Sequence, residues 1–78
     1  MRAKIITDNS SLLLGFRLGG ISGTLIKDKD EISKEFKKIN REDDLALIIF
    51  SKSCYRQIED EIRDFRENNT RPLIVVLD

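Results

Sequence analysis

Histidine and tryptophan are absent from this 78-residue chain, and cysteine and proline occur once each. Each absence closes a class of chemistry. Without histidine, no general base titrating near neutral pH stands ready for a serine or cysteine nucleophile. The commonest metal ligand is missing as well. The lone Cys54 can form no internal disulfide and belongs to no metal-ligand spacing, so a reducing interior such as the cytoplasm is the expected compartment. An excess of one charge is also lacking: Lys plus Arg and Asp plus Glu number 14 each, for a net charge of +0. That balance removes the electrostatic footprint of a nucleic-acid or anionic-lipid binder. No apolar run approaches the ~20 residues that span a bilayer. After Ile5-Ile6 the N-terminus turns polar, too early for the apolar segment of a signal peptide. No direct membrane insertion, no metal and no cofactor are expected.

What is present is an ordinary globular balance, 40% apolar and 36% charged, in a length that allows one domain, residues 1–78, near the lower limit for a self-sufficient core. Strand and helix signals alternate. A short strand over 3–7 stops at Asp8-Asn9. Asn9 or Ser10 then caps a helix over 10–18 with Leu12, Leu13, Leu14 and Phe16 as its apolar surface. Gly19-Gly20 ends it, and a weaker, glycine-interrupted strand covers 21–26. Asp28, with Glu31 three residues on, opens a helix carrying Ile32, Phe36 and Ile39 at helical spacing. Asn40 is its expected stop. The uninterrupted apolar run Leu45-Ala46-Leu47-Ile48-Ile49-Phe50 predicts a strand buried on both faces, as the centre of a parallel sheet requires. From Ser51 or Ser53 the longest helix reaches about Asn68, with Cys54, Ile58, Ile62 and Phe65 inward and Glu59→Arg63 and Arg63→Glu67 as charge pairs outside. Pro72 opens a last strand through Leu77.

This βαβαβαβ order with short connections predicts an α/β fold: a four-stranded parallel sheet of order 2-1-3-4 with three flanking helices and right-handed crossovers. It is the flavodoxin-like or receiver-like half without a fifth strand. One consequence is a sheet face only half covered by the first helix, over apolar strands. An exposed apolar face of that size marks a partner site.

Candidate chemistry is thin. Gly15, Gly19, Gly20 and Gly23 follow the first strand, where phosphate loops occur, but match neither G-x-G-x-x-G nor the Lys-containing phosphate loop. Close helix–strand packing and a helix stop account for them better. Gly15, inside the helix, costs about 1 kcal/mol against alanine, which implies that something approaches its backbone. Asp8 ends the first strand, where doubly wound folds place ligands. A phosphoacceptor domain would need an acidic pair there and an Asp ending the third strand, where Phe50-Ser51-Lys52 stands instead. Asp8 therefore reads as a turn former. Cys54 reads as core. Arg17, between Phe16 and Leu18 in a stretch poor in charge, suits either solvent or a partner contact, since arginine and aromatic residues are enriched at interfaces.

At Gly15-Phe16-Arg17-Leu18-Gly19-Gly20-Ile21 the chain resembles the F subunit of the V-type (A/V-type) rotary ATPases and ATP synthases, a family whose members carry a G-F-R-L-A-G-[IV] segment after the first strand. Gly19 replaces the alanine. The resemblance runs on through the apolar third strand, Ile58-Glu59-Asp60-Glu61-Ile62 and the strand after Pro72. It implies a non-catalytic central-stalk (rotor) subunit that binds the coiled-coil D subunit of the rotor, contacts other ATPase subunits and contributes to coupling ATP hydrolysis or synthesis to ion transport. It implies a cytoplasmic location, peripheral to a membrane through the complex. On this reading Phe16, Arg17 and Leu18 are partner-binding residues, and the isolated chain is free to pair with a second copy. Family members continue past the fourth strand into a C-terminal helix, so the chain looks like the N-terminal globular domain without that helix. The alternative is a receiver-like regulatory domain that lacks a phosphoacceptor and acts by protein–protein contact.

Overall fold

The computed structural model describes residues 2–77. Four strands, β1 (Arg2–Thr7), β2 (Ser22–Leu25), β3 (Leu45–Ser51) and β4 (Leu73–Leu77), form one all-parallel sheet of order β2-β1-β3-β4. In register, Gly23, Ile5, Ile49 and Val75 form one row across the sheet, and Thr24, Ile6, Phe50 and Val76 lie in the next. Successive residues of a strand face opposite sides, so these rows belong to different faces.

The helices sort accordingly. Helix α1 (Ser10–Leu18) lies on the face of Ile5 and Ile49. Helices α2 (Lys29–Ile39), α3 (Lys52–Gln57) and α4 (Glu59–Asn68) cover the other. The main core forms on this second face, where Ile6, Ile48, Phe50 and Ile74 meet Ile32, Phe36 and Ile39 of α2 and Cys54, Ile58 and Ile62 of the last two helices. Phe36 sits at its centre, its ring 5.9 Å from that of Phe50 and 5.4 Å, edge to face, from that of Phe65. Asn9 caps α1 by accepting from the Leu12 amide, and Asp28 caps α2 by accepting from the amides of Asp30 and Glu31.

Two features depart from the sequence reading. The single long helix expected after β3 is two helices, α3 and α4, parted at Ile58, whose ψ of 28° leaves the helical region. The Ile58 amide closes a tight turn onto Tyr55 O, and Ile58 O then accepts from the Ile62 amide. No glycine or proline marks this break. The apolar stripe survives it, because Cys54, Ile58 and Ile62 all stay buried. The second departure is electrostatic. Arg63 pairs with Asp60, three residues before it, and not with the Glu59 or Glu67 that four-residue spacing favoured.

A cluster of ion pairs ties β1 to the loop before β3. Arg2 binds Glu42 and, at 2.7 Å, Asp44, and Lys4 reaches Glu42 at 3.0 Å. The hydrogen bond from Arg2 holds the Asp44 carboxyl below its usual range. A carboxyl lowered on folding stabilises the fold above its unfolded pKa and loses that contribution as pH falls through the folded value. Asp44→Asn is therefore expected to lower the urea midpoint slightly at about pH 6 and to match the wild type at about pH 2. The pair is solvent-exposed, so the gap is small. An undiminished gap in acid would refute the linkage.

Candidate interaction surface

Helix α1 is built differently from the others. None of its residues is buried. Leu12, Leu13 and Phe16 are half-buried against β1 and β2, while Leu14 and Leu18, one turn apart on the outer ridge, are 57% and 81% exposed. Arg17 is exposed. The helix ends in a closure that explains the glycine pair. Ile21 N donates to Phe16 O, Gly20 N donates to Arg17 O, and Gly20 sits at φ +89°. This is the double hydrogen-bond cap in which the residue past the helix end turns left-handed, a conformation that favours glycine.

The other two glycines separate cleanly. A Cβ on Gly23 would lie 2.3 Å from Ile5 Cγ2, 2.4 Å from Ile5 O and 3.0 Å from Leu13 Cδ1. Gly23 thus lets α1 and β1 close on the edge strand, the helix–strand packing the sequence suggested. A Cβ on Gly15 would meet nothing within 4 Å. The close approach expected at Gly15 is not made by any described residue of this chain.

Leu13 over Gly23 fixes how α1 is rolled. Arg17, four residues on, shares the flank that faces the β2 edge. The opposite flank of α1 presents an open, mostly apolar hollow lined by Ser11, Leu12, Gly15 and Phe16. Phe16, Arg17 and Leu18, adjacent in sequence, therefore point to three sides: sheet and hollow, β2 edge, and solvent.

The β4 edge of the same sheet face is partly exposed. On β3 this face is buried at Ile49 and Ser51, and the exposure begins at the β4 edge and the start of β3. Leu73 is 63% and Val75 40% exposed there, with Leu47 half-buried next to them. The apolar run of β4 resembles that of β3, yet at the sheet edge it is only partly covered. The surface is also poor in charge. From Asn9 to Ile26 the only charged residue is Arg17, and from Pro72 to Leu77 there is none.

At the carboxyl ends of β1 and β3, Asp8 has partners the sequence did not reveal. It accepts from Ser53 Oγ at 2.7 Å and from Ser51 Oγ at 3.4 Å, which joins the end of β1 to the start of α3. Ser51 thereby spends its hydroxyl on Asp8 and makes no side-chain cap for α3. Cys54 is buried, donates to Ile26 O at 3.5 Å, and has its thiol pKa pushed up by burial. Among the described residues, no group of three or more His, Cys, Asp or Glu side chains could hold a metal, and no helix is long and apolar enough to cross a membrane.

The family model of the ATP synthase (F/14-kDa) subunit matches residues 4–77. The chain belongs to this family. It is also similar to the F subunit of the A-type ATP synthase of Methanospirillum hungatei JF-1, with 29% identity over 73 residues, 92% of this chain and 73% of the relative. No solved structure gives a significant match. The resemblance at Gly15–Ile21 is thus supported along nearly the whole chain, and this member of the F/14-kDa family is a component of an ATP synthase-type complex.

Proposed function

We propose that this F/14-kDa family chain is a non-catalytic central-stalk subunit that docks on the coiled-coil D subunit of the rotor. There it contributes to coupling ATP hydrolysis or synthesis to ion transport. Family membership supports the complex, and one observation supports the docking: the charge-poor apolar surface made by the outer ridge of α1 (Leu14, Leu18) and the exposed β4 edge (Leu73, Val75). This apolar, charge-poor surface suits contact with a helix of a coiled coil. A protein that transmits torque without chemistry needs a broad complementary surface rather than reactive groups, and apolar packing over a large area provides it. Of the residues assigned to the partner, Leu18 and Phe16 fit this seat as ridge and wall, while Arg17 lies at its rim. The protein acts as one α/β unit in the cytoplasm, held near a membrane through the complex.

The test is co-expression with the cognate coiled-coil rotor protein, followed by size-exclusion chromatography with light scattering. A one-to-one complex is expected. Leu18→Glu and Leu73→Lys, both at exposed positions, are expected to weaken it roughly tenfold or more while leaving the melting temperature of the free chain within a few degrees. Separate elution of two folded proteins would refute the reading. Unchanged affinity in both variants would move the docking site elsewhere.

A further inference from the structure

The break between α3 and α4 leaves open backbone donors that a single helix would use. Helix α4 starts afresh, its first backbone bond running from Ile62 N to Ile58 O. The amides of Glu59, Asp60 and Glu61 are therefore open helix-start donors. A continuous helix from Lys52 to Asn68 would close three more bonds, onto the carbonyls of Tyr55, Arg56 and Gln57. It would also keep Cys54, Ile58 and Ile62 on one side, because they stand four residues apart. Ile58 itself is 3% exposed, so a buried residue forms the pivot. Contacts from outside the two helices must hold the bend.

Two anchors do so. Helix α3 lies close on β1, β3 and β4 and is tied to the loop before α2. There Cys54 Sγ donates to Ile26 O at 3.5 Å and Gln57 Nε2 to Lys27 O at 3.1 Å. Helix α4 is tied to α2 itself: Ser33 Oγ donates to Glu61 Oε1 at 2.6 Å. Between the two anchor points the chain turns into α2 at Asp28, whose backbone is extended. Gln57 and Glu61 would be neighbours on one straight helix, yet they serve partners on either side of that turn. We infer that α2 sets this joint: it is a hinge at Ile58, kept bent by the Gln57–Lys27 and Ser33–Glu61 contacts, and once released it closes into one continuous helix.

Charge at the joint works in the same direction. Arg56 lies in the last turn of α3, and Glu59, Asp60 and Glu61 lie in the first turn of α4, where each sign suits its helix end. Anchors and charges together offset the forgone backbone bonds, which makes the joint an element with two arrangements that a contact can bias. The consequence is a coupling between α2 and α4. The Phe65 ring of α4 meets Phe36 of α2, so straightening the joint moves Phe65 against the core. A partner that took hold of Ser33 or Gln57, both only partly buried, would turn α4. The joint lies on the sheet face opposite α1, so the hinge and rotor docking stand or fall separately.

The test is amide hydrogen exchange, read residue by residue by NMR on the full chain. In the wild type the amides of Glu59, Asp60 and Glu61 are expected to exchange fast while that of Ile62 is protected. In the double variant Ser33→Ala with Gln57→Ala, those three amides should gain protection by about tenfold or more, with a stronger helical circular dichroism signal. Ser33→Ala alone should show the same change at smaller amplitude. Glu61→Gln, whose amide oxygen still accepts from Ser33, should leave the three amides open. Protection at all three in the wild type would overturn the inference. So would amides that stay open in a folded double variant.

Discussion

Phe36→Ala is expected to remove most of the stability of this fold. The side chain is 1% exposed and its ring meets those of Phe50 on β3 and Phe65 on α4, so it couples α2 to both the sheet and the last helix. Truncating a buried phenylalanine costs about 3–5 kcal/mol from lost transfer energy and the cavity left behind. A chain of this length has on the order of 4–12 kcal/mol in total, at ~0.05–0.15 kcal/mol per residue. Phe36→Ala should therefore lower the urea midpoint by a third or more, and in a low-stability background leave the chain unfolded at 25 °C. Phe36→Leu keeps an apolar filler and should cost about half as much, losing the two ring contacts at ~0.5–1.5 kcal/mol each. Phe65→Ala, at a half-buried position, should fall between. If Phe36→Ala costs less than Phe65→Ala, the centre of the core lies elsewhere.

That centre was legible because periodicity reports burial directly. Ile32, Phe36 and Ile39 stand at helical spacing, and all three are buried on one side of α2. The strand order rested on placing strands one and three at the centre, which the charge-free run 45–50 supported for the third, and the right-handed rule then sorted the helices between the two faces. The same logic could not see the interruption at Ile58. Cys54, Ile58 and Ile62 keep four-residue spacing through it, and a pattern of buried positions does not report whether the backbone between them stays helical. Nor could it separate β3 from β4, whose compositions are alike. Burial of an apolar strand is a property of its neighbours, and Leu73 and Val75 are exposed because β4 is at the edge. The Asp8 contacts were hidden for a related reason: a carboxylate at a strand end looks like a turn former until the fold brings Ser51 and Ser53 to it. For the interaction surface, sequence marked the segment but not its geometry. Phe16, Arg17 and Leu18 are consecutive, and a helix necessarily sends consecutive residues to different sides.

Gly23→Ala and Gly15→Ala are expected to move stability in opposite directions, although both replace a glycine in the same region. At Gly23 the added methyl would stand 2.4 Å from Ile5 O and 2.3 Å from Ile5 Cγ2. The carbonyl belongs to a strand hydrogen-bonded on both sides, so it cannot move without disturbing the ladder. Overpacking costs about 1–3 kcal/mol where side chains can adjust, and here the obstacle includes backbone, which favours the upper end. The weakest response available is release of the short edge strand β2, so amide exchange over Ser22–Leu25 should accelerate more than global unfolding does. At Gly15 the methyl meets nothing, and a solvent-facing helix position gains about 1 kcal/mol when glycine becomes alanine. For a domain of this size 1 kcal/mol shifts the melting temperature by roughly 4–8 °C. Gly15→Ala should therefore melt higher than wild type by about that amount, and Gly23→Ala lower by more. Measured on dilute, monomeric protein, a loss of stability in Gly15→Ala would mean that α1 packs differently on the sheet and that the hollow beside it is filled. A gain at the monomer combined with weaker partner binding would show that Gly15 serves the surface at the expense of the fold.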